Sequence, residues 1–202
     1  MTTMASRLSG LSLIIGAVLL GTAMVALSFN PVVNQLFPPF VNWLFMIGSI
    51  LLLLSLPAMY ARQANASGWL GLTGHALLQA GILLLVVVAA PPLLYPTLKE
   101  ASGNSVLAFG LGIALTLGLL LTGLTTFRAG IYPRAAGALL LAAMAGFVFD
   151  FFVAEFLPAI AGQAGSALFG VLLALGLAAA GRSMFANPAL SSRPTGDAHT
   201  AV

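Results

Sequence analysis

The chain has 202 residues, of which 60% are hydrophobic and only 5% are charged. Soluble domains typically carry about 25% charged residues, so this composition excludes a surface that faces water on all sides. The net charge of +3 is too small and too scattered to indicate nucleic-acid binding. The lack of cysteine excludes disulfides and thiolate chemistry. We therefore expect an all-α protein whose main solvent and partner is the lipid bilayer.

Six apolar stretches are long enough to cross a bilayer, since a spanning helix needs about 20 apolar residues. The predicted spans are 8–29, 40–60, 69–94, 105–127, 135–156 and 166–184. They predict one transmembrane domain over 1–185 and a disordered cytoplasmic tail over 186–202. The first stretch could also be a cleaved signal peptide. Its long apolar run without a clean A-x-A site favours a retained helix.

Basic residues are distributed unevenly along the chain. With six spans and an inner N-terminus, the outer loops hold only Lys99, beside Glu100. The inner segments hold Arg7, Arg62, Arg128, Arg134, Arg182 and Arg193. Because basic residues accumulate on the cytoplasmic side, this asymmetry predicts an N-in, C-in protein. Richness in Ala, Leu and Gly, with Arg favoured over Lys, points to a bacterial inner (cytoplasmic) membrane.

Aromatic residues fit the same topology. Trp43 and Tyr95 are expected near the outer interface, and Trp69 and Tyr132 near the inner one, as in the aromatic belts of membrane proteins.

An internal repeat is suggested when 51–115 is laid over 117–181 without gaps. The two segments share roughly twice the identities that biased composition alone would give, Arg62 over Arg128 among them. The shift moves the second and third spans onto the fourth and fifth and keeps their direction. A duplication would therefore be parallel, related by an axis along the membrane normal. The alternative is biased composition with similar hairpin chemistry.

Small residues recur at every fourth position of the last span. They are Gly162, Ser166, Gly170, Ala174 and Ala178. Helices in lipid associate through close contacts at small residues, so this row predicts packing within the bundle or, alternatively, contact between copies of the chain.

Two carboxyl groups lie in the apolar stretch FVFDFFVAEFLPA of the fifth span. Asp150 is about 22 Å from the helix start, inside the lipid core, whereas Glu155 reaches the headgroup boundary. Five residues turn an α-helix by about 140°, so the two do not share a face. An unpaired carboxylate in lipid is costly, and no outer arginine is available. We expect Asp150 to be protonated or to face a wet cavity, as a hydrogen-bonding group or as a proton or cation site.

His75 and Gln79 are four residues apart in the third span and share a helical face. They are expected in the inner half of the bilayer. A neutral His75 bonded to another helix is one interpretation, and a proton relay is the other, since imidazole titrates near neutrality. Both residues, with Asp150, are the candidate polar sites inside the membrane.

A resemblance is carried by LLSLPAMYARQANASGWLGLTGHALLQAG (53–81) and GLTTFRAGIYPRAAGALLLAAMAG (123–146). These stretches resemble the inner hairpins of small six-helix bacterial membrane proteins of unknown function, of actinobacterial and Chloroflexi type. The resemblance implies the six-helix architecture and no activity.

No catalytic motif is visible, since H-E-x-x-H, P-loop and G-x-S-x-G patterns are all absent from the sequence. We therefore expect no enzyme, no cofactor and no metal site. The expected function is structural, accessory or sensory, with a second copy or another membrane protein as a further partner. The alternative is a small-solute or proton-linked transporter or channel that uses Asp150.

Overall fold

The computed structural model describes residues 3–28, 39–94, 105–153 and 159–186. They form five α-helices: α1 (Thr3–Ser28), α2 (Pro39–Leu94), α3 (Ser105–Ala129), α4 (Arg134–Val148) and α5 (Ala159–Ala186). A π-helical turn (Phe149–Val153) continues directly from α4. Within the described ranges no residue lies in a β-strand, so the all-α prediction is confirmed.

The 56-residue α2 is broken at Gly68, which has φ 55° and ψ −151°. We call 39–67 its first arm and 69–94 its second arm. In a straight helix Gln63 and His75 would be about 18 Å apart along the axis. Their side-chain nitrogens are instead 3.2 Å apart, so the chain folds back at Gly68. A left-handed φ is accessible to glycine at little cost, which is why a helix readily ends at such a residue.

The segment ARQANASG (61–68) is expected from hydropathy to be a break between two spans. The structure keeps it helical up to the single non-helical residue Gly68. Alanine, arginine and glutamine are good helix formers, so the first arm extends almost two turns beyond its apolar run.

The helices form a closed ring, in which each element packs against its neighbours. α1 contacts the first arm of α2 on one side and α5 on the other. The ring continues from α5 to α4, from α4 to α3, and from α3 to the second arm of α2. Large buried side chains such as Leu20, Leu56, Leu119 and Leu140 fill the core.

Residue contacts fix the directions of the helices, and every neighbouring pair examined is antiparallel. The contacts between α1 and α5 join Gly10 to Gly181 and Gly21 to Gly170; those of α1 with the first arm join Ser12 to Leu51 and Leu20 to Gly48. Between the second arm and α3, Gly74 contacts Thr122 and Gly81 contacts Leu115. Between α3 and α4 with its π-turn, Phe127 contacts Gly137 and Gly112 contacts Phe151. Between α4 with its π-turn and α5, Leu140 contacts Gly176 and Phe149 contacts Gly165. Followed both ways round the ring, these directions make the two arms of α2 antiparallel to each other.

Small residues let α1 and α5 approach closely. A Cβ atom on Gly10 would lie 2.8 Å from the carbonyl oxygen of Gly181, and one on Gly21 would lie 2.6 Å from the Cβ of Ala174. Gly170 also lies against Gly21. Part of the predicted small-residue row on α5 therefore packs within the chain, as expected for helices that lack a hydrophobic drive in lipid.

The described arginines share one end of the bundle, which we call the basic end: Arg7, Arg62, Arg128, Arg134 and Arg182. Both glycines with positive φ, Gly68 and Gly130, turn the chain at this end. Tyr95, Lys99 and Glu155, together with 187–202 of the tail, lie outside the described residues.

Large apolar side chains cover the outside of the bundle. Leu54, Trp69 and Val106 are 70%, 72% and 75% exposed. All five helices contain a stretch long and apolar enough to cross a membrane. An apolar exterior of this extent is compatible with a multi-pass membrane protein, since water would not solvate it.

Candidate functional site: a buried polar cluster at the basic end

The fold-back at Gly68 brings polar side chains from three helical segments together inside the bundle. Gln63 is fully buried on the first arm of α2, His75 is 2% exposed on the second arm, and Thr126 is fully buried on α3. Buried polar groups are costly unless they are hydrogen-bonded. Each of these three side chains has a partner within the cluster.

The hydrogen bonds of His75 define its tautomer. Its Nδ1 lies 2.9 Å from the carbonyl oxygen of Gly71, which can only accept, so Nδ1 carries the proton. Its Nε2 lies 3.2 Å from Nε2 of Gln63, which can only donate, so this ring nitrogen accepts. Both contacts are satisfied only by the neutral imidazole.

Thr126 extends these hydrogen bonds into a series in which every donor points in the same direction. Its hydroxyl donates to Oε1 of Gln63 over 3.4 Å. The sequence of donors therefore runs from Thr126 through Gln63 and His75 to the backbone of Gly71. This chain, which we call the His75 chain, ties both arms of α2 to α3.

An aromatic ring closes one side of the His75 chain. The ring of Tyr60 on the first arm lies 5.4 Å from the imidazole of His75, centroid to centroid, at an angle of 52°. This tilted contact shields the imidazole from one side and adds a second bridge between the arms.

A second group of contacts, built around Arg62, lies beside the His75 chain. Arg62 donates from a guanidinium nitrogen to the carbonyl oxygen of Ser183 in the last turn of α5, at 3.1 Å. Its Cζ lies 5.7 Å from the centroid of the Tyr132 ring. A cation near a helix C-terminus is favourable because the final carbonyls have no partner within the helix. Arg62 therefore joins the first arm to α5 and to the α3–α4 connection.

Tyr132 completes this group from the short connection between α3 and α4. Its hydroxyl donates to the carbonyl oxygen of Met59 at 3.0 Å. Burial raises the pKa of Tyr132 well above its ordinary value, and the charge of Arg62 opposes that shift in part. Tyr132 lies at the basic end. It is only 2% exposed, so it is buried between helical segments and is not part of an aromatic belt.

Gln79 is not one of the hydrogen-bonding residues of the His75 chain. It is half-buried on the second arm, whereas the partner of His75 comes from across the fold-back. Helical spacing identifies neighbours along one helix and says nothing of a partner on the other arm. The missed residue, Gln63, had one usable signal: a glutamine in an alanine-rich segment able to extend the helix.

Asp150 lies in the π-helical turn, in the half of the bundle farther from the basic end. The hydroxyl of Ser166 on α5 donates to its Oδ1 at 2.5 Å. A Cβ atom on Gly165 would lie 3.0 Å from the ring of Phe149 and 3.6 Å from the Cβ of Asp150, so Gly165 packs against this turn. Glu155 lies outside the described residues, so the angle expected between the two carboxyl groups stays a prediction.

An apolar groove of about 600 Å³ runs between α4 and α5 beside this carboxyl group. Gly146, Phe149, Gly165 and Leu168 are among its lining residues. Asp150 is not a lining residue, but its Cβ lies near Gly165, which is one. Asp150 is therefore close to a groove on the apolar surface of the bundle.

The other arginines named from the sequence, Arg128, Arg134 and Arg182, are exposed at the basic end. Arg62 is 8% exposed, unlike Arg128, its counterpart in the proposed repeat. The repeat therefore stays a prediction, with different surroundings at these two matched positions.

In the part of the chain that the structure describes, no group of three or more His, Asp or Glu residues could hold a metal ion. No protein-family model matches the chain, and neither a curated protein nor a solved structure matches it.

Proposed function

We propose that the chain is an integral protein of the bacterial cytoplasmic membrane with six spans and both termini inside. Its function is structural, accessory or sensory, without catalysis. The two arms of α2 are two of the six spans under this proposal, and the basic end faces the cytoplasm.

The antiparallel arms of α2 support the six spans. A straight crossing takes about 20 residues, whereas the apolar part of α2, Phe40–Val87, has 48. The antiparallel packing of α1 and α5 also supports an even number of spans, because it puts the start of α1 and the end of α5 at the same end of the bundle. The arginines gathered at one end support its cytoplasmic placement.

The observation that carries the non-catalytic function is the pairing of the buried polar groups with one another. Gln63, His75 and Thr126 satisfy each other and a backbone carbonyl. Arg62 and Tyr132 bind backbone carbonyls of neighbouring elements. Groups used in this way brace a bundle, whereas a catalytic centre needs groups directed at a space where substrate can sit.

Single cysteines test the topology without background, because the natural chain has none. Ser102→Cys should react with a membrane-impermeant maleimide on intact cells. Ala66→Cys and Ser191→Cys should react only after permeabilisation. A five-span protein with one crossing for α2 would protect Ser102→Cys on intact cells, and this result would overturn the proposal.

A second function, small-solute or proton-linked transport through Asp150, is favoured by the π-turn around that residue. π-Turns often occur at functional sites, and a membrane-embedded carboxyl group is a proton or cation site by default. Proton or solute flux into liposomes should then be abolished by Asp150→Asn and only reduced by Ser166→Ala. Flux with this pattern would replace the non-catalytic proposal, and no flux across a broad panel counts against transport.

A further inference from the structure

We infer that the His75 chain is a pH-sensitive latch at the basic end. With a neutral imidazole it holds both arms of α2 against α3, and protonation of His75 releases them. The inference rests on the proposed function in one respect, since it names the stimulus of a sensory protein. The contacts that carry it need the fold-back at Gly68 and do not involve Asp150.

The directions of the hydrogen bonds in the His75 chain fit a neutral imidazole and do not fit an imidazolium. A proton added at Nε2 of His75 would face the donor nitrogen of Gln63, 3.2 Å away. Nδ1 is already committed to the carbonyl of Gly71. Protonation therefore turns an attractive contact between the two arms into a contact between two donors.

Rotation of the Gln63 amide by a half turn would restore the hydrogen bonds. Oε1 would then accept from the imidazolium, and the amide nitrogen would donate to the hydroxyl of Thr126. This rotation leaves the new charge buried and without a counterion. The charge, rather than the loss of one hydrogen bond, is what opens the latch.

The surroundings of His75 offer no compensating charge among the described residues. The first arm contributes Tyr60 and Gln63, which are neutral, and Arg62, which is a cation held against Ser183 and Tyr132. α3 contributes the hydroxyl group of Thr126, which is bonded to Gln63, and Tyr132 of the α3–α4 connection lies against Arg62. The one acidic residue in the described ranges, Asp150, is in the distant half of the bundle.

The fold-back is the element that protonation would move. Gly68 is the single non-helical residue between the arms, and a Cβ there would meet no atom within 4 Å. Gly68 therefore has open space on the side where a Cβ would lie. Next to it, the His75 chain, the ring of Tyr60 and the close approach of Ser67 to Gly71 cross between the arms.

Hydrogen–deuterium exchange of the full chain in lipid nanodiscs tests the latch, with rates corrected for the intrinsic effect of pH. His199→Ala removes the only other histidine and makes His75 the sole imidazole. Protection of 60–78 should fall as the pH drops from about 8 to about 5. One linked proton gives a limiting change of about tenfold in the opening constant per pH unit. Constant protection over this range would overturn the inference.

Two variants separate a latch from a merely structural histidine. His75→Gln can accept from Gln63 and cannot be protonated, so its protection should not respond to acid. Gln63→Glu places a carboxylate beside His75, which should pair with the imidazolium and invert the response, with opening on alkalinisation. An unchanged acid response in either variant would contradict the latch.

Failure of the latch and failure of the proposed function are distinguishable. If the latch fails while the cysteine probes report six spans, the proposed architecture stands. Probes that report one crossing for α2 would contradict the fold-back at Gly68 and the latch together. If Asp150-dependent flux replaces the non-catalytic function while protection still responds to acid, the latch stands, because its contacts do not involve Asp150.

Discussion

The basic end and the opposite half of the bundle bury polar side chains in different ways. At the basic end, Gln63, His75 and Thr126 come from three helical segments and bond in series. In the opposite half, Asp150 has one side-chain partner, Ser166 on the adjacent helix, and lies beside a groove on the surface. The first arrangement fixes the relation of several helices, whereas the second joins two.

The fold therefore depends more on the polar side chains at the basic end than on Asp150. A residue with partners on both sides, such as Gln63, cannot change without leaving another buried group unpaired. Asp150 can lose its hydrogen bond with Ser166 with less consequence for the fold. The following predictions test this contrast through reversible unfolding of the protein in mixed micelles.

Gln63→Ala is expected to have the largest effect, a loss of about 3 kcal/mol in unfolding free energy. It leaves both His75 Nε2 and the Thr126 hydroxyl buried without their partner, and each unsatisfied group costs about 1–3 kcal/mol. Gln79→Ala is the control, because Gln79 is half-buried and takes no part in the His75 chain. It should change the unfolding free energy by about 0.5 kcal/mol or less. Equal losses in the two variants would show that the cluster is not the stabilising feature.

Tyr132→Phe should cost about 1 kcal/mol through loss of the hydrogen bond to Met59. It should also change the response to alkali. Burial raises the pKa of the native Tyr132, so the neutral phenol contributes stability below the unfolded pKa of about 10 and loses it as the pH rises above that value. The wild type should therefore lose more stability than the variant between about pH 9 and pH 11. Parallel alkaline profiles would contradict a buried phenol.

Thr126→Val should cost about 0.6 kcal/mol, the average for hydrogen bonds between helices in membranes. Thr122→Val is a matched control one turn away on the same helix. Thr122 is equally buried, and its hydroxyl has no hydrogen-bond partner among the described residues. Its replacement by an isosteric apolar side chain should be neutral or stabilising. A larger loss of stability in Thr122→Val than in Thr126→Val would contradict the hydrogen bond from Thr126 to Gln63.

Asp150→Asn should have the smallest effect on stability, within about 0.5 kcal/mol. The amide retains an oxygen that can accept from Ser166 and carries no charge. A loss as large as that of Gln63→Ala would make Asp150 an architectural residue and remove the contrast between the two halves.

The helical nature of the chain could be predicted because lipid leaves a polypeptide few other ways to satisfy its backbone. Hydropathy located the apolar parts of the helices but misjudged the segment around Gln63. Polar residues that extend a helix beyond the bilayer core look like a loop when only hydropathy is considered. The depth of Arg62 was missed for the same reason.

The candidate site could be predicted only in part. His75 was identified because a titratable residue in an apolar span stands out, but its partner depends on the angle of the fold-back at Gly68. That angle brings residues 63 and 75 together, and helical periodicity does not contain it. The π-turn at Asp150, which packs against Gly165 of α5, is likewise not evident from the local sequence FDFFV.

Nitrogen-15 NMR of the imidazole tests the His75 chain most directly. In protein carrying His199→Ala and labelled at histidine, His75 should give the signature of a neutral ring protonated at Nδ1 and unprotonated at Nε2 near neutral pH. The signal should report a hydrogen bond accepted at Nε2 that is lost in Gln63→Ala. A ring protonated at Nε2, or an imidazolium at neutral pH, would contradict the hydrogen-bond chain from Thr126 to Gly71.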